Sequence, residues 1–501
     1  MAQFGEPLRE VVVVGGGLAG WAAAAALKRR VPALSVTILP LTPPPTALAD
    51  RIASTLPSIL GFHADLGLGI DDTVLRTGSA YRLGSLFSGW AQGLPDYVHA
   101  YGGHGAPLGG VSFHLLWARA AIEGATPLFE TLSSAAMLAR AGRFIPPSGE
   151  PGAPFSEHEF GLTLDVDRYA DMLRAFSQHI GVRVQHGALE KVELRGADGF
   201  IDALHLDDGN TLRAELFLDC TGPEALLHAA LDTARDDWSH WLPCDRLIFA
   251  EGPPPAGPPL LDTVTATATG WRWTTATPAA ALHGIAYASS YSSDEAAAET
   301  LHAATGALAD SAPVTIAPGA RPQPWLRNCV AIGDAAVTLE PLEWTNLHLA
   351  HSAIDRLITM LPARDWSPVE SADYNRQALA EAGRVRDFAA LHYAVARRDE
   401  PFWRARAAVE PPASLAHSLT LFRERGRLPF HEEETFARDS WLAVLFGQGV
   451  LPRRADPLTE SVPREEVRRA MEARQAAIAR TLPTLPTHAA YLGAQIRQLD
   501  R

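Results

Sequence analysis

The stretch Val11-Val12-Val13-Val14-Gly15-Gly16-Gly17-Leu18-Ala19-Gly20-Trp21, continued by the alanine-rich run to Leu27, decides the fold. Four β-branched residues in a row suit a buried parallel strand, and the alanines after Trp21 favour a helix. Between them, Gly15, Gly17 and Gly20 stand in G-x-G-x-x-G spacing, and a second strand-like run, Ser35 to Leu39, follows at the distance of a βαβ unit. Glycines here permit a sharp strand-to-helix turn and let a pyrophosphate approach the backbone, where first-turn amides and the helix dipole offer positive charge. The pattern predicts a Rossmann-like α/β module with a dinucleotide site at Gly15, Gly17, Leu18, Ala19 and Gly20; the alternative is a glycine-rich turn in an ordinary α/β sheet. One usual part is missing. The acid that binds ribose hydroxyls at the end of the second strand is absent, because Pro40 follows Leu39.

From Val11 to Leu27 the chain is uncharged for 17 residues. A membrane span needs roughly 20 apolar residues and a signal peptide wants positive charge before its apolar run. Here Glu10 precedes and Lys28, Arg29 and Arg30 follow, so neither is expected. The 501 residues exceed one small core and imply two or three packed units. Apolar residues at 47% and charged residues at 20% exclude a disordered chain, and a net charge of −14 argues against nucleic-acid or anionic-membrane binding. Cys220, Cys244 and Cys329 are scattered, which points to neither a disulfide framework nor a cysteine metal site and fits a reducing cytoplasm. Of 43 basic residues only Lys28 and Lys191 are lysines, so chemistry that needs a lysine has two candidates.

Proline-rich segments at Pro40 to Pro45, Pro146 to Pro154 and Pro253 to Pro259 mark loops or joints. The pattern predicts a helix from Val166 to Ile180 and strands around Val182 to Val192, Phe200 to Leu206, Leu216 to Asp219 and Cys329 to Ile332. A helix is predicted near Leu347 to Leu361, and beyond Ser367 a largely helical tail. Asp334, just after a buried strand and Gly333, either contacts the cofactor or caps a helix. His348 and His351 lie one helical turn apart, but with no third ligand in view no metal is expected.

Several motifs in order resemble the flavin-dependent tryptophan halogenase family. Gly15 to Trp21 is similar to its opening GGGxAGW, and Gly270-Trp271-Arg272-Trp273 to the start of its GWxWxIP signature. Gly333-Asp334-Ala335-Ala336 is followed by Glu340-Pro341-Leu342-Glu343, its EPLE segment, and Arg386-Asp387-Phe388, Pro401-Phe402-Trp403 and Gly447-Gln448-Gly449 extend the likeness to the tail. The resemblance implies a p-hydroxybenzoate-hydroxylase-like FAD module over 1–45, 155–230 and 320–362. It also implies a β-sheet substrate and tunnel subdomain over 46–154 and 231–319, and a mostly helical C-terminal subdomain over 363–501. It further implies FAD reduced by a separate flavin reductase, oxygen and a halide yielding hypohalous acid, and a small electron-rich aromatic such as an indole as substrate. A second copy of the chain, as a homodimer, is a further partner expectation.

Carried over residue by residue, Arg82 in Tyr81-Arg82-Leu83-Gly84 occupies the place of the family's catalytic lysine, and Glu343 that of its glutamate. Gly333, Asp334 and Leu347 fall on the flavin side, Thr345 and Asn346 on the halide site, and His99 and Tyr101 on an aromatic pair that sandwiches the substrate. Trp271, Trp273 and Trp344 fall along the tunnel. This chain departs from the pattern in Arg82, in Trp344-Thr345-Asn346 where the family has Ser-Thr-Gly, and in Ile52 to Pro57 where it has a GEAT-I-P loop. A guanidinium stays protonated and cannot serve as a tuned acid. An asparagine in place of glycine is expected to disturb a backbone with φ above zero. The alternatives are therefore a halogenation-deficient flavin monooxygenase and a non-catalytic binding protein, with Arg82 and Glu343 as a structural ion pair and the tryptophans as core.

Overall fold

The computed structural model describes residues 6–124, 126–150 and 152–499. The chain folds as two compact units. The first comprises the residues up to Ser79, Leu164–Asp245 and Val314–Gly383; the second comprises Ala80–Thr163, Arg246–Pro313 and the residues from Arg384 onward. Residues 46–79 thus belong with the glycine-rich module.

The first unit is built on β1 (Glu10–Val14), α1 (Leu18–Arg30) and β2 (Ser35–Leu39), as the hydrophobic pattern predicts. Its sheet runs Trp325–Leu326, Cys329–Ala331, Leu216–Asp219, β1, β2, Arg183–Val184. All neighbours are parallel except the first pair. Val11 to Val14 pair with Leu216 to Asp219 on one side and Val36 to Leu39 on the other, so β1 lies inside the sheet and its continuous apolar run is buried on both faces. Leu18 to Leu27 of α1 are buried all round. The five alanines Ala22 to Ala26 let α1 pack against Val166–His179 and against α2 (Asn346–Thr359). Cys220, Cys244 and Cys329 are buried free thiols.

In the second unit the strands Arg246–Gly252, Ala281–Tyr287, Gly270–Ala276, Leu261–Thr267, Gly84–Ser88 and Tyr97–Ala100 lie side by side in that order. Gly84–Ser88 pairs parallel with Leu261–Thr267, and the other neighbours are antiparallel. Beyond Arg384 the chain is helical, including Pro401–Ala407, Ala413–Arg425, Arg438–Gly447 and Arg464–Thr481. The tail motifs pack as core: Trp403 sits edge-on to Trp90 at 5.2 Å, His392 stacks on Phe87 at 4.7 Å, and Phe388 stacks on Phe436 at 3.9 Å. No helix among the described residues is long and apolar enough to cross a membrane.

Candidate active site

At the start of α1 the glycines are required by close packing. A Cβ on Gly15 would run into the Cys220 carbonyl, and one on Gly20 into the carbonyl of Gly15. Gly15 also has φ +126°, which a side chain would strain. Gly17, the N-cap, makes no side-chain cap, and the first turn of α1 carries no acid of its own. The Leu18 amide donates to the carboxylate of Asp50, which lies against the Cα of Gly17. The structure therefore brings Gly15, Gly17, Leu18, Ala19 and Gly20 together at a strand-to-helix turn whose missing side chains leave the backbone open to approach, with the Asp50 carboxylate already on the Leu18 amide.

Gly333 and Asp334 stand close by. A Cβ on Gly333 would touch those of Ala19 and Ala350 at 3.4 Å. The Asp334 side chain caps neither its own turn nor α2. It lies within a 3-10 turn, Gly333–Ala335, and accepts from the Ala49 amide at 3.0 Å and from Asn346 Nδ2 at 3.5 Å. Burial pushes its carboxyl up to about 7, and burial likewise pushes that of Asp50 up to about 6. Asp50 escaped the sequence reading; its signal was to be the sole acid among residues 40–60.

Glu340, Leu342, Glu343, Trp344, Thr345 and Asn346 are all buried. Glu343 and Trp344 have φ +68° and +62°, and the Trp344 amide closes the turn on the Pro341 carbonyl at 3.2 Å. Two successive residues in this region cost on the order of 1–3 kcal/mol each and are held by their surroundings. The expected disturbance at Asn346 is not found. Asn346 is the first residue of α2, with ordinary helical backbone, and its Nδ2 donates to the Leu339 carbonyl at 3.3 Å. The left-handed residues lie earlier in the segment, because the turn reverses the chain before the helix begins. Thr345 Oγ1 and Asn346 Oδ1 are buried without a hydrogen-bond partner among the described residues. Leu347 is buried beside them.

His348 and His351 part company. The first joins Ser58 Oγ at 2.7 Å and Glu381 at 3.2 Å, and the second stacks on Phe62 at 3.8 Å. Glu381 is held down to about 2: burial pulls it upward, and His348, Arg356 and Ser352 outweigh that.

In the second unit Arg82 is fully buried, in the short strand Ala80–Arg82. Its guanidinium pairs with Asp262 at 2.7 Å and donates to the Gly84 carbonyl at 3.0 Å, to Ser85 Oγ at 3.1 Å and to the Tyr101 hydroxyl. Asp262 was not singled out in the sequence, although it is an acid at an inward position of the alternating strand Leu261–Thr267. His99 and Tyr101 are both buried, their rings edge-to-face at 5.9 Å, and His99 also meets Phe388 and Phe436. Phe436 lines a cleft of about 460 Å³ together with Arg384, Phe430, His431, Glu434 and Trp441. Trp271 and Trp273 are buried 5.2 Å apart. Trp271 donates to the Tyr393 hydroxyl at 3.0 Å, and the ring of Trp273 lies over Gly284, where a Cβ would collide with it.

The pattern of the tryptophan halogenase family matches residues 10–464. The chain belongs to the tryptophan halogenase family. Tryptophan 6-halogenase SttH of Streptomyces toxytricini is 27% identical over 97% of this chain and 99% of that protein. BrvH, a flavin-dependent halogenase from Brevundimonas sp. BAL3, superposes with a TM-score of 0.92 at 33% identity, covering 97% of this chain and 99% of that one. Xcc4156, a flavin-dependent halogenase from Xanthomonas campestris, gives 0.90 at 34% identity over 98% and 99%. This tryptophan halogenase family member is thus a flavin-dependent, halogenase-type oxidoreductase on a Rossmann-like α/β fold with a helical C-terminal region. The comparisons favour that reading over a non-catalytic binding protein.

Proposed function

We propose that the chain uses FAD, reduced by a separate flavin reductase, together with oxygen and a halide, to halogenate an indole or another electron-rich aromatic. Gly15, Gly17, Leu18, Ala19 and Gly20 would hold the pyrophosphate, with Gly333, Asp334 and Leu347 on the flavin side. When bound, reduced flavin would supply the two electrons that bring oxygen to the peroxide level, at which it oxidises halide to hypohalous acid. The Thr345 hydroxyl and the start of α2 would hold the halide, because the positive end of the helix dipole faces it. His99 and Tyr101 would orient the aromatic ring, while Trp271, Trp273 and Trp344 keep water away from it. The aromatic cleft at Phe436 and Trp441 supports a substrate of this class.

Arg82 would hydrogen-bond the oxygen of the oxidant. Ring carbon then bonds to halogen as the halogen–oxygen bond breaks, and the Glu343 carboxylate stabilises the developing positive charge, takes the ring proton and passes it to the departing hydroxide, which leaves as water. Arg82 donates hydrogen bonds throughout and keeps its own proton, as a guanidinium must. A homodimer and a cytoplasmic site of action accompany this reading.

The observation that carries it is the Glu340–Asn346 segment: a buried carboxylate on a left-handed turn followed by two polar atoms at a helix N-terminus that have no hydrogen-bond partner among the described residues. The test supplies flavin reductase, NADH, oxygen and bromide with indole and seeks the brominated product by mass spectrometry. Product no greater than that of free hypobromite would reject the reading.

A further inference from the structure

We propose that Asp50 is a built-in competitor for the cofactor's phosphate: its carboxylate takes the α1 amide that a phosphate oxygen needs, so the strap Leu48–Asp50 must move for FAD to bind. The inference rests on the flavin reading above.

Three observations support it. The Leu18 amide donates to Asp50 Oδ1, and both carboxylate oxygens lie where a Cβ of Gly17 would project, on the side that the missing side chain keeps open. The first turn of α1 holds no acid of its own, so the positive end of its dipole is answered by an acid brought from a strap 32 residues downstream. The next amide in the strap, that of Ala49, is tied to Asp334 at 3.0 Å, so two consecutive strap residues are fastened at the cradle.

The electrostatics point the same way. The strap packs against α1, α2 and the turn Gly333–Ala335. The first turn of α1 brings no acid, and the turn brings Asp334. α2 brings the uncharged Asn346 amide to Asp334, and Cys220 feels Asp50 from the end of its strand. Arg235 is the cation acting on Asp334. Adding a pyrophosphate to this predominantly acidic set while Asp50 stays in place would crowd like charges in a desolvated site, and moving Asp50 out removes both the repulsion and the occupied amide. A carboxylate and a phosphate oxygen are interchangeable partners for a helix N-terminus, which lets one stand in for the other.

The test compares full-length wild type, Asp50→Ala and Asp50→Asn, each prepared free of flavin. FAD and, separately, inorganic pyrophosphate are titrated by calorimetry, and melting is followed with and without FAD. The proposal expects Asp50→Ala to bind both probes about tenfold more tightly, the loss of one charge-assisted hydrogen bond to the competitor. Asp50→Asn, uncharged but still able to accept from the amide, should fall in between. Without FAD the alanine variant should melt lower than wild type, and with saturating FAD that gap should close. Equal or weaker FAD binding in both variants overturns the proposal and makes Asp50 a plain helix cap or a cofactor ligand. Should FAD bind to none of the three while pyrophosphate binds more tightly to Asp50→Ala, the flavin reading fails and the competitor stands. If neither probe responds to the substitutions, the competitor fails. Asp50→Asn serves alone if the alanine variant does not fold.

Discussion

Arg82 is held on several sides by groups that prefer a planar, multiply donating cation: a carboxylate, a carbonyl and two hydroxyls. Lysine offers three donors on a flexible stem and cannot satisfy that set in the same geometry. Arg82→Met should therefore lose halogenation by at least about a hundredfold, as expected for removal of a positioned donor. Arg82→Lys should raise bromination above wild type, because an ammonium can deprotonate and exchange with the oxidant. If instead the lysine variant gains nothing while oxygenated products persist, the monooxygenase alternative is favoured. Product ratios by mass spectrometry decide. Asp262→Asn leaves the guanidinium buried beside a neutral amide and should destabilise the protein by about 3–5 kcal/mol, read from urea melts. Neither Asp262 nor Asp50 stood out in the sequence, because an isolated acid acquires meaning only from the group that the fold sets against it.

At the scale of elements, the proposed site rests on α1 and the segment before α2. Gly20→Ala would drive a methyl into the Gly15 carbonyl. Its expected result is loss of FAD binding together with a lowered melting temperature, and a variant that binds FAD normally would refute the account of the cradle. The turn at Glu343 and Trp344 was not legible in advance. Sequence reasoning placed the demand for a permissive residue at Asn346, the family's glycine position, whereas the left-handed pair falls on two residues that rarely adopt that conformation. Such strain is set by the packing around it rather than by local preference. The strands Ser35–Leu39 and Leu216–Asp219 and the helix at Val166–His179 were legible to within a residue, because each is a continuous apolar run or an amphipathic period with clear ends.

Over the whole molecule, buried carboxyls set opposing pH trends. Asp334 is raised to about 7 and Asp50 to about 6. A carboxyl whose folded pKa lies above its unfolded value holds a proton more tightly when folded, so its contribution favours folding at low pH and falls as pH rises from about 4 through the folded value. Glu381, held at about 2, runs the other way and loses its contribution on strong acidification. Asp334→Asn should therefore stabilise the protein at pH 8 by on the order of 2 kcal/mol relative to wild type, with the difference shrinking toward pH 4. Thermal melts across that range check it, and a difference independent of pH would contradict the shift assigned to Asp334.

The amino-acid sequence alone determined the glycine-rich turn, the parallel sheet around β1 and the family. Those properties follow from local patterns: apolar periodicity, glycine spacing and ordered motifs, all of which act over a few residues. Only the tertiary structure decided that Asp50 meets the Leu18 amide, that Asp262 holds Arg82, and that Glu343 and Trp344 bear the left-handed turn. In each of these the energy comes from burial and from a partner that approaches only when the chain is folded, and a desolvated charge is governed by what surrounds it rather than by what precedes it.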